Sequence, residues 1–335
     1  MTDTTTQEDQ TNAATRRAGG EFVRGVSGFR HAIGDPDFAP EPNRYHLYVA
    51  LNCPWCHRVT LARAVLGLSD AITMDVAFPN RTDEQDPAGP NLWHFAPDRA
   101  ATLTGAPLPE CTAETATGDS LRLARDLYAR HGSPEQSVPI LYDKHSHRIV
   151  NNESAEIVRM LDAHARALGS TAPDRPTLRP SGLAGTIDTL NERIYTAINN
   201  GAYKAGFSSD QAVYAAAFTA YFDALSWLEE HLSDGRPYLA GDSFTEADLR
   251  LFPTLYRHDP VYYVRMKLNG ARILDYPHLW RWLCRVYALP GVAESGSLLH
   301  CRQGYFGRSW NGTIPLGPVL PLPYPEAYAV PGLAG

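Results

Sequence analysis

Two cysteines lie two residues apart in the stretch LYVALNCPWCHRVTLARAVLGL, Leu47 to Leu68, and a histidine directly follows the second. The pattern C-x-x-C-H suits three chemistries: attachment of a c-type haem, half of a zinc site, or thiol redox exchange. Haem attachment belongs outside the cytoplasm, and no basic n-region followed by an apolar h-region is present. A zinc site wants a second ligand pair, whereas Cys111, Cys284 and Cys301 are scattered singly. Five cysteines is odd and sparse for a disulfide-stapled secreted domain, which points to a cytoplasmic protein with reduced thiols. Thiol redox chemistry at Cys53 and Cys56 is the reading that remains.

The flanking elements fit that chemistry. YHLYVAL alternates and is rich in aromatic and aliphatic residues, as a strand ending near Asn52 would be. HRVTLARAVLGL then sets Val59, Ala62 and Leu66 on one face of an amphipathic helix. Cys53 thus stands at a strand-to-helix turn, with Pro54 suited to the first helical turn. AITMDVAF reads as a second strand and completes a β-α-β unit.

Residues 79–120, rich in Pro, Gly and Asp, read as an insertion loop. SLRLARDLYARHG follows as a helix, SVPILYDKHSHRIVNNES as a two-stranded hairpin, and SAEIVRMLDAHARAL as a closing helix. Three prolines between 166 and 180 mark a domain boundary, and the chain beyond Gly182 is helical to about residue 310. Within it, Thr245 to Asp248 form a capping box that explains helix initiation without catalysis. Residues 1–20 read as a disordered tail and 311–335 as an extended proline-rich one.

The fold class expected is therefore an α/β thioredoxin-like domain over 21–165 followed by an all-α domain over 182–310. Hydrophobic residues make up 44% of the 335 and charged residues 20%, enough for two packed domains. The net charge of -7 argues against nucleic acid or an anionic membrane as partner, and no apolar run reaches the ~18 residues of a spanning helix.

In such a domain the free N–H groups and macrodipole at the helix N-terminus favour a thiolate. Cys53, first in the helix, is the nucleophile candidate, and Cys56, one turn on, is the more buried thiol. Val138-Pro139 is expected to be a cis peptide facing the sulfur, with the Val138 backbone open to a thiol ligand. His57 is expected to be exposed or locally bonded rather than catalytic.

The chain resembles the glutathionyl-hydroquinone reductases, the Xi class of the glutathione transferase superfamily, from about Gly20 to Pro318. The matching stretches include RYHLYVALNCPWCHR, VPILYDKHSHRIVNNESAEIVRML, INNGAYKAGF, YLAGDSFTEADLRLFPTL, DYPHLWRWL, HCRQGYF and IPLGP. The resemblance implies a glutathione-transferase-like helical domain, a homodimer, no metal, and a defined reaction. Cys53 attacks the sulfur of a thiol-hydroquinone conjugate, hydroquinone leaves, and a second thiol resolves the mixed disulfide. It implies Tyr203 and Tyr305 as proton donors to the ring, with Tyr195 a further candidate. It also implies Glu153 and Ser154 as the γ-glutamyl site, Trp93 as a cover over the thiol, and Val138 as its backbone clamp.

Two positions depart from the family pattern. Relatives carry Ala where Cys56 stands, which opens a dithiol route in the manner of a glutaredoxin. Relatives also approach the cis-proline through Arg-x-Thr-Val-Pro, whereas this chain reads HGSPEQSVPIL, with Gln136 and Ser137 and no arginine. A guanidinium lost from a carboxylate contact is not a conservative change. Mycothiol, with its sugar head, therefore stands beside glutathione as the expected thiol, while Glu153-Ser154 suits a γ-glutamyl group. A disulfide reductase using Cys53 and Cys56 is the enzymatic alternative, and a c-type haem electron carrier the non-enzymatic one.

Overall fold

A computed structural model describes residues 14–16, 19–307 and 313–315. The N-terminal half is built on a four-stranded sheet in the order β4-β3-β5-β6, where β3 is Tyr45–Val49, β4 Thr73–Val76, β5 Ile140–Asp143 and β6 Arg148–Asn151. β3 runs parallel to β4 and antiparallel to β5, and β5 pairs antiparallel with β6. Helix α1 (Pro54–Val65) makes the parallel crossover and α3 (Ser154–His164) follows the hairpin. This is the thioredoxin-like arrangement expected from the strand-helix-strand and hairpin-helix order.

Three local expectations are corrected. Residues 14–16 are not tail: they form β1 (Ala14–Arg16), paired antiparallel with β2 (Phe22–Arg24). The helix expected over 120–132 is shorter, α2 (Ala124–Ala129), because Leu123 is extended at its N-cap and the chain turns again at Gly132, whose φ is +67°. Helix α1 is not amphipathic in the ordinary sense. Cys56 to Ala62 are all buried, since α1 lies between α3 and the helical domain. The expected tail beyond residue 310 lies outside the described residues, save 313–315.

The second half is helical: α4 (Ala184–Arg193), α5 (Asn200–Phe207), α6 (Gln211–His231), α7 (Glu246–Arg257), the short α8 (Tyr263–Arg265), α9 (Pro277–Tyr287) and α10 (Leu298–Phe306). Two π-helical turns, Ile194–Asn199 and His258–Tyr262, interrupt it. The capping box is present: Asp248 accepts from the Thr245 N–H at 2.9 Å. Its other carboxylate oxygen takes the Leu239 N–H and the Trp282 indole N–H, both at 2.8 Å. This fully buried carboxylate locks α7 to α9 and takes no part in a cleft. No helix among the described residues is long and apolar enough to cross a membrane.

Candidate active site

Strand β3 ends in a turn whose last residue, Cys53, is the N-cap of α1, with Pro54 at its first helical position. The missing N–H of proline would be unpaired there in any case, so Pro54 starts the helix without a lost bond. Cys53 is half-buried and its Sγ lies 3.8 Å from the carbonyl oxygen of Val138. The Val138-Pro139 peptide is cis, and both residues are buried.

Burial pushes the Cys53 thiol up. Hydrogen bonds from the Cys56 thiol and from the backbone of Cys56 and Trp55, with the nearby Arg24 charge, overcome it and bring Cys53 down to about 6. Cys56 behaves oppositely: burial, then its bond to Cys53, hold its thiol well above the ordinary range. The Ala50 N–H donates to the Cys56 sulfur at 3.4 Å. One cysteine is thus a thiolate near neutral pH and the other a thiol that donates to it.

The helical domain sets Tyr203 near this sulfur and links two further tyrosines to it. The hydroxyls of Tyr203 on α5 and Tyr305 on α10 are 2.6 Å apart, and Tyr262 reaches Tyr305 at 3.3 Å. Burial, then the Cys53 charge, pushes Tyr203 up to about 12. Burial raises Tyr262 and Tyr305 well above the ordinary range as well. All three stay protonated and act as donors at neutral pH. Tyr195 sits in the first π-helical turn, its ring 6.1 Å from Trp55. α10 comes close to the turn before Cys53 because residue 304 is glycine: a Cβ there would run into the Asn52 amide and the Pro79 carbonyl.

Glu153 is the N-cap of α3, its carboxylate accepting from the Ala155 N–H at 3.2 Å and from the Ser154 hydroxyl at 3.4 Å. Ser154 is fully buried. Gln136 is buried on the approach to the cis peptide, and the neighbouring Ser137 carbonyl takes the Tyr128 hydroxyl at 3.0 Å. Trp93, from the insertion, is 5% exposed, with the Arg81 guanidinium 4.5 Å from its ring.

His57 is neither exposed nor locally bonded. It is buried at the domain junction, where Arg257 donates to its Nδ1 at 2.7 Å, so Nε2 carries the proton and donates to Ser295 Oγ at 3.0 Å. Neither nitrogen is left to ligate a haem iron. Arg257 also donates to the carbonyls of Leu51 (2.8 Å) and Asn52 (3.3 Å), and so braces the turn that presents Cys53.

Nothing in the sequence marks Arg257, Tyr262 or Arg24 for the site. Tyr262 lies in a π-helical turn that breaks helical periodicity, and π-turns often mark functional sites. Arg24 belongs to the N-terminal segment and lies over Trp55, 3.5 Å from the ring centre.

Family models match both halves: "Glutathione S-transferase, N-terminal domain" over residues 52–164 and "Glutathione S-transferase, C-terminal domain" over 211–285. The chain is 38% identical to the glutathionyl-hydroquinone reductase PcpF of Sphingobium chlorophenolicum, covering 92% of this chain and 93% of the relative. It is 39% identical to the glutathionyl-hydroquinone reductase YqjG of Escherichia coli, covering 93% of each. Among solved structures, glutathione-bound YqjG superposes with a TM-score of 0.77 at 37% identity, over 90% of this chain and 96% of that one. The Xi glutathione S-transferase of Phanerochaete chrysosporium superposes with a TM-score of 0.77 at 34% identity, over 90% and 93%.

Proposed function

The chain belongs to the glutathione S-transferase family, in the Xi class of glutathionyl-hydroquinone reductases, and we propose that it strips a low-molecular-weight thiol from S-conjugated hydroquinones. The observation that carries this reading is the half-buried Cys53 thiolate at a helix N-terminus, close enough to the tyrosine group to raise Tyr203. A conjugating transferase stabilises a bound thiolate; a protein thiolate in that place is itself the nucleophile.

In the first half-reaction Cys53 attacks the conjugate's sulfur. A sulfur–sulfur bond forms, the aryl carbon–sulfur bond breaks, and the ring carbon takes a proton. Protonated Tyr203 and Tyr305 are the donors for that proton, with Tyr195 beside Trp55 as a further one. In the second half-reaction a free thiolate attacks the mixed disulfide and expels Cys53, whose low pKa makes it a good leaving group. The net change consumes one conjugate and one thiol and yields hydroquinone and a symmetric disulfide.

Glutathione is the thiol we assign first, because YqjG was solved with glutathione bound and Glu153-Ser154 open a helix where a γ-glutamyl carboxylate is welcome. Val138, Pro139, Gln136 and Trp93 would line its remaining length. Mycothiol is the second thiol to be tested, on the ground that Gln136 and Ser137 stand where an arginine is expected. We further read the protein as cytoplasmic, from its sparse and odd cysteine count, and as a homodimer, from the family resemblance.

A dithiol route has one observation behind it, the Cys56 thiol bonded to Cys53. The same observation limits it: attack needs a thiolate, and Cys56 is held as a thiol. Cys56 is better read as the donor that keeps Cys53 charged.

The test is turnover of a glutathionyl-hydroquinone with glutathione, beside the mycothiol pair, with intact-mass detection of adducts. Hydroquinone release, a single Cys53 adduct in wild type, and a loss of at least ~10³-fold in Cys53→Ser are expected. Adduct formation in Cys56→Ser but not in wild type would transfer the reading to the dithiol reductase.

A further inference from the structure

The segment before the sheet enters the cleft. Phe22 on β2 stacks against Tyr203 and Phe207, with ring centres 5.8 and 5.7 Å away. Further along, the Ser27 hydroxyl donates to Glu153 at 3.4 Å. Between these two anchors Arg24 lays its guanidinium over Trp55, whose ring borders Tyr195 and Tyr203 at 6.1 and 6.3 Å. The segment therefore runs from the ring-binding tyrosines to the helix that would hold the thiol.

Two arginines meet Trp55, and only one is satisfied. Arg58, 4.5 Å from the ring centre, is buried and donates to the Asn199 side chain at 2.5 Å. Arg24 has a buried Nη1 with no hydrogen-bond partner, and no carboxylate pairs with it among the described residues. Buried polar groups of folded proteins are nearly always bonded, and a guanidinium N–H on an aromatic platform suits an oxyanion.

The proposed reaction makes such an anion. An aryl carbanion is a poor leaving group, but a ring that takes a proton from the tyrosine pair on its sulfur-bearing carbon, while its hydroxyl returns one to that pair, is a ketone tautomer. When Cys53 attacks the sulfur of that tautomer, the carbon–sulfur electron pair moves into the ring and places negative charge on the former carbonyl oxygen. That phenolate then takes the single proton consumed overall.

We infer that Arg24 is a substrate-binding residue whose guanidinium takes the ring oxygen that becomes negative as the aryl carbon–sulfur bond breaks. This rests on the reading of the reaction given above. Its cation also faces Cys53, among the influences that hold that sulfur ionised. Substrates with ionised or readily ionised ring oxygens are preferred over alkylated ones.

The test separates this role from effects on Cys53 and from the reaction as a whole. Equilibrium dialysis of the full chain would compare 4-nitrophenolate, at a pH where it is ionised, with neutral 4-nitroanisole. Wild type is expected to prefer the phenolate by about tenfold or more, Arg24→Lys to keep most of that preference, and Arg24→Gln to lose it. Single-turnover rates would compare the hydroquinone conjugate with an alkyl mixed disulfide of the same thiol, which has no ring oxygen. Arg24→Gln should slow the first about tenfold more than the second. A wild type without phenolate preference, an Arg24→Gln variant that keeps it, or equal loss on both substrates would overturn the proposal. Phenolate preference without any hydroquinone release would instead mark failure of the reaction assigned to Cys53.

Discussion

The two halves of the cleft are built by different means. On the thiol side, Cys53, Pro54 and Cys56 are consecutive or nearly so, and Val138-Pro139 opens the paired strand β5. Secondary structure alone carries these groups to one place. On the ring side, Tyr203, Tyr262 and Tyr305 come from α5, a π-helical turn and α10, separated by up to 102 positions. Tertiary packing alone joins them. In the reaction proposed above, the first half supplies the charge that attacks and the second the protons that let the ring leave, so damage to each should be separable by substrate.

The largest effect that probes this division lies in the tyrosines. Tyr203→Phe or Tyr305→Phe should slow release of hydroquinone from a conjugate by about 10²-fold, the scale of a lost general acid. The double variant should lose little more than either single one, because the two hydroxyls share one hydrogen bond and act as a unit. Reduction of an alkyl mixed disulfide needs no ring proton and should stay within about twofold of wild type. Single-turnover rates on the two substrates check both statements; equal loss on both would mean that the tyrosines hold Cys53 rather than serve the ring.

The same division sets what was legible in the sequence. The thioredoxin-like order, the helix-capping cysteine and the cis-proline strand follow from local periodicity and from what proline permits. His57 escaped, because its partner Ser295 is 238 residues away and nothing near position 57 announces burial. Arg257 escaped for a related reason: it is a fully buried cation whose partners are main-chain carbonyls and the distant His57, and those leave no mark near it in the sequence. Tyr262 was hidden by the π-helical turn that delivers it. Arg24 is hidden because the polar run before it reads as tail, although the aromatic Phe22 two residues earlier is the anchor that carries it inward.

A smaller effect sharpens the thiol side. Cys56→Ala removes the donor to the Cys53 thiolate and should raise its pKa from about 6 by roughly one unit. Wild-type attack rates should climb as pH rises through 6 and then level, since the thiolate is the reactive form. The variant's profile should climb about one unit later. A more basic thiolate is also intrinsically more nucleophilic, by roughly threefold per unit. The two profiles should therefore cross: the variant is about twofold slower at pH 6 and about threefold faster at pH 8. Rates of alkylation by iodoacetamide across that range measure this directly, and coincident midpoints would remove Cys56 from the account of the Cys53 charge.

The smallest effect concerns how the N-terminal segment is held across both sides. Glu21 pairs with Lys204 on α5 at 2.9 Å, but the two side chains are 39% and 35% exposed. A pair so open to solvent contributes roughly 0–1 kcal/mol and is screened by salt. Phe22 is 8% exposed between two aromatic rings, and its truncation costs about 3–5 kcal/mol if the site cannot collapse. Glu21→Gln should therefore leave the conjugate rate within about twofold and the melting curve nearly unmoved, at low and at high salt, whereas Phe22→Ala should lower both. Thermal melts beside single-turnover rates decide the matter. A large, salt-dependent loss in Glu21→Gln would show that charge rather than aromatic packing seats Arg24 on Trp55.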